Sequence, residues 1–170
     1  MGAAYESVTV DVKDHVAQVT LIGPGKGNAM GPAFWAEMPR VFAELDADPQ
    51  VRAIVLAGSG KNFSYGLDLP AMGGALSEVM SPNASARARA EFHTRLLSMQ
   101  GAINAVADCR TPTIASVHGW CIGGGVDLRP RLEALVGDLG GLDPVQPEVA
   151  HAVLGRVEGG DVPALAAVHE

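Results

Sequence analysis

The feature that most constrains this chain is a run of glycines set directly after an apolar strand. Pro112-Thr113-Ile114-Ala115-Ser116-Val117 reads as a buried strand, and Gly119-Trp120-Cys121-Ile122-Gly123-Gly124-Gly125-Val126-Asp127-Leu128 follows it. Three consecutive glycines leave the backbone bare. Bare N–H groups at the start of a helix can hold an anion, or an oxygen that becomes one during a reaction. Asp127 stands three residues beyond the middle glycine. On glycines alone, a plain strand-to-helix turn explains the stretch equally well.

At 170 residues the chain has the length of one domain, and 48% of it is apolar against 18% charged. A formal charge of -7 argues against a nucleic-acid footprint. Cys109 and Cys121 make neither a disulfide framework nor a metal-ligand spacing, and free thiols in a reducing compartment are expected. The first residues carry no basic start or apolar core of a secretion signal, and no apolar run reaches membrane length. The expected location is the cytoplasm.

Val8 to Val12 and His15 to Ile22 alternate as two strands, with Lys13-Asp14 as their turn. Gly23-Pro24-Gly25-Lys26-Gly27-Asn28 breaks the pattern, but a dinucleotide loop would need glycine where Asn28 stands. From Pro32 to Asp46, Phe34, Met38, Val41, Phe42 and Leu45 share one helical face, a core stripe opened by a proline near the helix start. Val51 to Ala57 is a compact apolar strand that runs into Gly58-Ser59-Gly60-Lys61. A phosphate-binding loop is excluded there, because Val55 stands where another glycine is required and Asn62 follows the lysine. Ser64 lacks the GxSxG context of a hydrolase nucleophile. Pro70 to Gly74 reads as loop, and Ala84 to about Ala107 as a helix with Phe92, Leu96, Met99, Ile103 and Val106 in a stripe. His93 and His118 are assigned structural roles. The order of elements is that of an α/β protein in which two strand ends, Ala57 and Val117, each lead into a glycine-bearing loop. Two such loops could each offer one N–H to a single carbonyl oxygen.

These segments resemble the crotonase superfamily, the enoyl-CoA hydratases and isomerases. Gly58 to Leu69 is similar to the family's first oxyanion segment and Val117 to Leu128 to its second. Leu21 to Ala29 is similar to the early loop that helps hold the adenine end of coenzyme A. The resemblance covers roughly residues 5 to 128 and implies a crotonase-like ββα spiral, incomplete at its C-terminus. It assigns the oxyanion hole to the backbone N–H groups of Leu67 and Gly124, and coenzyme A binding to Lys26, Ala29, Tyr65, Gly66, Leu67, Asp68, Leu69, Gly123 and Gly124. Asp127 takes the position of a catalytic acid. Aspartate there, where hydratases usually carry glutamate, leans toward the dienoyl-CoA isomerases; its other reading is an acid favoured by a helix dipole. The implied substrate is an acyl-CoA thioester, with coenzyme A part of the substrate and no metal or separate cofactor. Nucleic acid and membrane are not implied as partners. Family members form homotrimers or hexamers through a region that has no counterpart here.

Beyond Leu128 the resemblance ends. Residues 129–170 use only Arg, Pro, Leu, Glu, Ala, Val, Gly, Asp, Gln and His. Those ten are the complete set encoded by codons that begin with G or C, whereas roughly a third of residues 1–128 lie outside it. Drawing such a tail by chance has odds on the order of one in ten million by independent draws. A shifted reading frame in a GC-rich gene yields this alphabet, because a wobble base of G or C becomes each codon's first base. The expectation is a crotonase-like core over residues 1–128 and an out-of-frame tail over 129–170 that packs loosely, leaving the faces of Phe92–Ile103 and Pro112–Val117 half covered. A catalytically inactive fragment of such an enzyme is the alternative to an active hydratase or isomerase. A natural Ala/Gly/Pro-rich tail is the alternative to the shifted frame.

Overall fold

Alternating apolar residues begin the sheet. Strand β1 (Val8–Lys13) pairs antiparallel with β2 (Val16–Leu21), from Val8 opposite Leu21 to Lys13 opposite Val16. A computed structural model describes residues 4–23, 27–128 and 133–136 of the chain. The hairpin loop is Asp14-His15, one residue later than the Lys13-Asp14 turn expected from the sequence. Both loop residues have positive φ, 50° and 68°, the handedness a two-residue hairpin needs to match strand twist.

Helix α1 (Pro32–Ala47) follows, with proline in its first turn, where the missing N–H is harmless. All five stripe residues, Phe34, Met38, Val41, Phe42 and Leu45, are buried. Strand β3 (Ala53–Gly58) is buried throughout and lies parallel to β2, with Val16 opposite Ala53. Helix α2 (Leu69–Met80) occupies a stretch whose proline and two glycines read as loop. Its start is fixed by Asp68, whose carboxylate accepts the Ala71 N–H at 3.0 Å as an N-cap. Helix α3 (Ala86–Ala107) is capped likewise by Ser85. It packs on α1, but buries only Ala102 and Val106, while Leu96 and Leu97 stay exposed. The stripe read from the sequence is therefore covered at its C-terminal end only.

Strand β4 (Thr113–Val117) lies parallel to β3, and the short helix α4 (Gly124–Asp127) follows it. Strand β5 (Glu133–Val136) runs parallel to β4, with Ile114 opposite Glu133 and Val117 opposite Val136. The sheet order is β1-β2-β3-β4-β5. Two expectations are corrected by this pairing. Four tail residues join the sheet instead of packing loosely, and Ile114 to Val117 are buried between two strands. The rest of residues 129–170 lies outside the described residues. The described architecture is mixed α/β, with one main cluster of buried side chains, among them Leu21, Met30, Phe42, Ile54, Leu56 and Phe63, between the sheet and the helices.

Long-range clamps tie this core together. Glu37 on α1 accepts the N–H groups of Glu6 and Ser7, each at 2.9 Å, and the Ser7 hydroxyl. Burial opposes ionisation of Glu37, but these three donors outweigh it and hold its pKa below the ordinary value. At the other end of α1, Asp46 receives the Arg110 guanidinium at 2.9 Å, the backbone N–H groups of Arg110 and Thr111, and the Thr111 hydroxyl. Burial, with Asp46 beside it, pushes the Cys109 thiol pKa up.

Candidate active site

The two glycine-bearing loops meet. Ser64 and Cys121 form a parallel bridge: the Ser64 N–H donates to Trp120 O at 3.1 Å and the Ile122 N–H to Ser64 O at 3.0 Å. Phe63 N–H donates to His118 O at 2.9 Å and Trp120 N–H to Asn62 Oδ1 at 3.0 Å, so the loops are stitched along their length. Gly66 has φ 80°, and a Cβ built on it would lie 3.0 Å from Gly124 N and 2.7 Å from Ile122 O. Glycine is required at 66 by both conformation and space.

A third segment holds Leu67. Met30 N–H donates to Gly66 O at 2.7 Å, and Met30 O accepts the Asp68 N–H at 3.1 Å. This parallel bridge engages the residues flanking Leu67 and leaves its own N–H on the opposite side, as alternation along an extended segment dictates. Gly124 begins α4 after Gly123, whose φ of 55° turns the chain into the helix. Among the described residues, neither the Leu67 N–H nor the Gly124 N–H has a hydrogen-bond acceptor. Two unsatisfied donors on adjoining segments are what a developing oxyanion requires.

The other sequence-assigned residues sit around these donors. Tyr65 donates its N–H to Gly27 O at 2.7 Å, covers Gly27 with its ring, and stacks edge-on against Trp120 with centroids 6.5 Å apart. Ala29 lies half-buried in the segment between Asn28 and Met30. Asp68 is engaged as the α2 cap, and Leu69 is exposed at that helix start. Asp127 ends α4, its side chain exposed and without a hydrogen bond among the described residues. Lys26 lies outside the described residues. His118 is a tie, its Nε2 at 3.0 Å from Gly60 O, and His93 is exposed on α3.

Sequence reasoning missed three contributors. The sequence draws no attention to Met30, presents Ser64 only as a failed nucleophile and Asn28 only as a misfit in a glycine pattern. Their partners lie more than thirty residues away, which no local pattern reveals. In the structure the Asn28 backbone has φ 51°, a conformation asparagine tolerates better than most residues. Beside the donors opens a cleft of about 360 Å³ between α1, α2 and α3, lined by Trp35, Met72, Met99 and Arg95 among others. Trp35 joins it to the donors. Its indole N–H donates to Met30 O at 3.1 Å, and its ring edge is 3.9 Å from where a Gly124 Cβ would stand.

Known proteins are similar to this chain in sequence and fold. The model of the enoyl-CoA hydratase/isomerase family matches residues 11–131. The human mitochondrial Δ(3,5)-Δ(2,4)-dienoyl-CoA isomerase is 41% identical over 128 residues, which span 74% of this chain and 38% of that protein. A probable enoyl-CoA hydratase of Mycobacterium tuberculosis is 33% identical over 126 residues, 74% of this chain and 44% of the relative. Among solved structures, an enoyl-CoA hydratase from Mycobacterium smegmatis superposes with a TM-score of 0.64 at 27% identity, covering 76% of this chain and 47% of that one. The chain thus spans about two fifths of the length of these curated relatives. Among the described residues no helix is long and apolar enough to cross a membrane. With the sheet, the two meeting loops and the family match in agreement, the chain belongs to the enoyl-CoA hydratase/isomerase family and has its crotonase-type fold.

Proposed function

We propose that this chain binds an acyl-CoA thioester and acts on the carbons beside its carbonyl, by isomerising a dienoyl-CoA or hydrating an enoyl-CoA. The observation that carries this is the pair of unpaired donors, Leu67 N–H and Gly124 N–H, on adjoining segments. Removing a proton next to a thioester, or adding water across the neighbouring double bond, places negative charge on the carbonyl oxygen. Two fixed donors stabilise that charge, and each is worth about 3–4 kcal/mol in such sites. Asp127 serves one of the proton transfers, and the apolar cleft beside Trp35 receives the acyl chain. Coenzyme A binding by Lys26, Ala29, Tyr65, Gly66, Leu67, Asp68, Leu69, Gly123 and Gly124, and location in the cytoplasm with both thiols free, belong to the same proposal. The relatives include proteins named as mitochondrial and peroxisomal, and fractionation of the source cells tests the cytoplasmic location. The test of function is to bind a conjugated dienoyl-CoA and record its absorption. Polarisation of the conjugated carbonyl by the donors shifts the band to longer wavelength, and turnover moves or removes the double bonds. A bound ligand with an unshifted spectrum overturns the reading.

The residue alphabet of 129–170 favours a second reading, in which the chain is a catalytically inactive fragment with an out-of-frame tail. A spectral shift without turnover is then expected. Resequencing the gene across the codon for Leu128 is decisive for the tail: an intact frame that close relatives share sets the shifted-frame reading aside.

A further inference from the structure

Ser64 is completely buried and bonds to its own loop and to two separate segments of the chain. Its hydroxyl donates to Asn28 O at 2.9 Å and accepts the Gly66 N–H at 3.1 Å. Its backbone is bridged to Trp120 and Ile122 of the second loop. A Cβ built on Gly125 would lie 3.1 Å from Ser64 Cβ, so α4 rests directly on this side chain. Asn28 is anchored in turn. Its Nδ2 donates to Ser59 O at 3.0 Å, Asn62 O at 2.8 Å and Phe63 O at 3.1 Å, and its Oδ1 accepts the Ser59 hydroxyl at 2.8 Å. Two amide hydrogens shared among three carbonyls, all on one loop, fix that loop from the inside.

We infer that Ser64 is a positioning residue whose hydroxyl, locked between Asn28 and Gly66, sets the spacing of the Leu67 and Gly124 N–H groups. The inference rests on the oxyanion reading proposed above. The Gly66 N–H that Ser64 holds is one residue from the first donor. The α4 turn that rests on Ser64 begins with the second. Removing the hydroxyl leaves Asn28 O and Gly66 N–H without this partner in a buried site, and the chain between Ser64 and Leu67 is then free to shift. Because oxyanion stabilisation depends on donor placement to a few tenths of an ångström, the effect falls on carbonyl polarisation and turnover, and much less on coenzyme A affinity.

The experiment compares the 170-residue chain with Ser64→Ala and with the near-isosteric Ser64→Cys, using free coenzyme A and a conjugated dienoyl-CoA as probes. The spectral shift is measured at full occupancy, and any turnover is split into kcat and KM. Support consists of a shift reduced by about half or more in Ser64→Ala and a kcat, where measurable, lowered by about tenfold. Coenzyme A affinity should stay within about threefold, and Ser64→Cys should fall between parent and Ser64→Ala. A purely structural role lowers the melting temperature yet leaves the shift per bound ligand unchanged, and that outcome overturns the inference. So does failure of both variants to fold. No shift in the parent chain overturns the oxyanion reading itself, whereas a parent shift that Ser64→Ala retains overturns only the role of Ser64.

Discussion

Gly66 and Gly124 approach so closely that a methyl group added to the first would stand 3.0 Å from the backbone nitrogen of the second. The nearest obstacle, Ile122 O at 2.7 Å, is backbone and cannot swing aside. Gly66→Ala therefore combines a left-handed conformation, costing about 1–2 kcal/mol for an L-residue, with a clash that forces the loops apart. The expected loss of stability is about 2 kcal/mol or more, read from urea unfolding. A change within a few tenths of a kcal/mol would mean that the two loops are not held in this contact in solution.

Gly124→Pro removes the second donor, but it also adds a Cβ that would stand 2.9 Å from Sδ of the buried Met30, so the turn must shift. The residue begins α4, a position where proline is tolerated, and its N–H serves no acceptor among the described residues. Melting temperature should fall, so spectra and rates are compared on the folded protein at equal ligand occupancy. Carbonyl polarisation and turnover should fall, turnover by about 10²- to 10³-fold, while coenzyme A affinity holds. Equal losses of binding and turnover would assign the turn a structural role alone.

Asp127→Asn keeps size and hydrogen bonding and removes the ability to carry a proton. Turnover of dienoyl- or enoyl-CoA should fall about 10²-fold or more, with stability unchanged within about 0.5 kcal/mol because the side chain is exposed and unpartnered among the described residues. Near-parental rates on both substrates would reduce Asp127 to a helix-end acid.

Asp46 gives the fold a pH dependence of known sign. The Arg110 guanidinium first, then the Thr111 N–H and hydroxyl, hold its carboxyl well below the usual carboxylate range against the opposing effect of burial. A folded-state pKa below the unfolded one means that the stabilisation is complete above about pH 5 and is lost as pH falls below about 4. The melting-temperature difference between the parent and Asp46→Asn should be constant near neutrality and shrink on acidification. A difference that persists unchanged at pH 3 would show that Asp46 acts without its charge.

Periodicity made much of this fold legible. The alternation of Val8 to Leu21 and the stripe of α1 are local facts, and every α1 stripe residue is buried. Helix α2 was hidden because Pro70, Gly73 and Gly74 carry loop propensities, while the cap at Asp68 and the packing of α2 against α3 override them. The two donors were readable only through resemblance, since a backbone N–H leaves no mark in residue type. The hub at Ser64 and Asn28 was unreadable in principle from pattern, because its bonds span thirty-six residues.

Both candidate donors are main-chain atoms, and one of them is bracketed by main-chain atoms of Met30. No substitution of the Leu67 side chain can delete the donor it flanks; only proline, or a shift of the loop, removes it. The side chains facing the cleft, such as Trp35, Met72 and Arg95, carry no such obligation. On the proposed reading, selection can exchange them one at a time, moving from one acyl chain to another while the electrostatic apparatus stays constant. A lineage with this layout can drift in substrate preference without passing through a form that has lost its hold on the carbonyl.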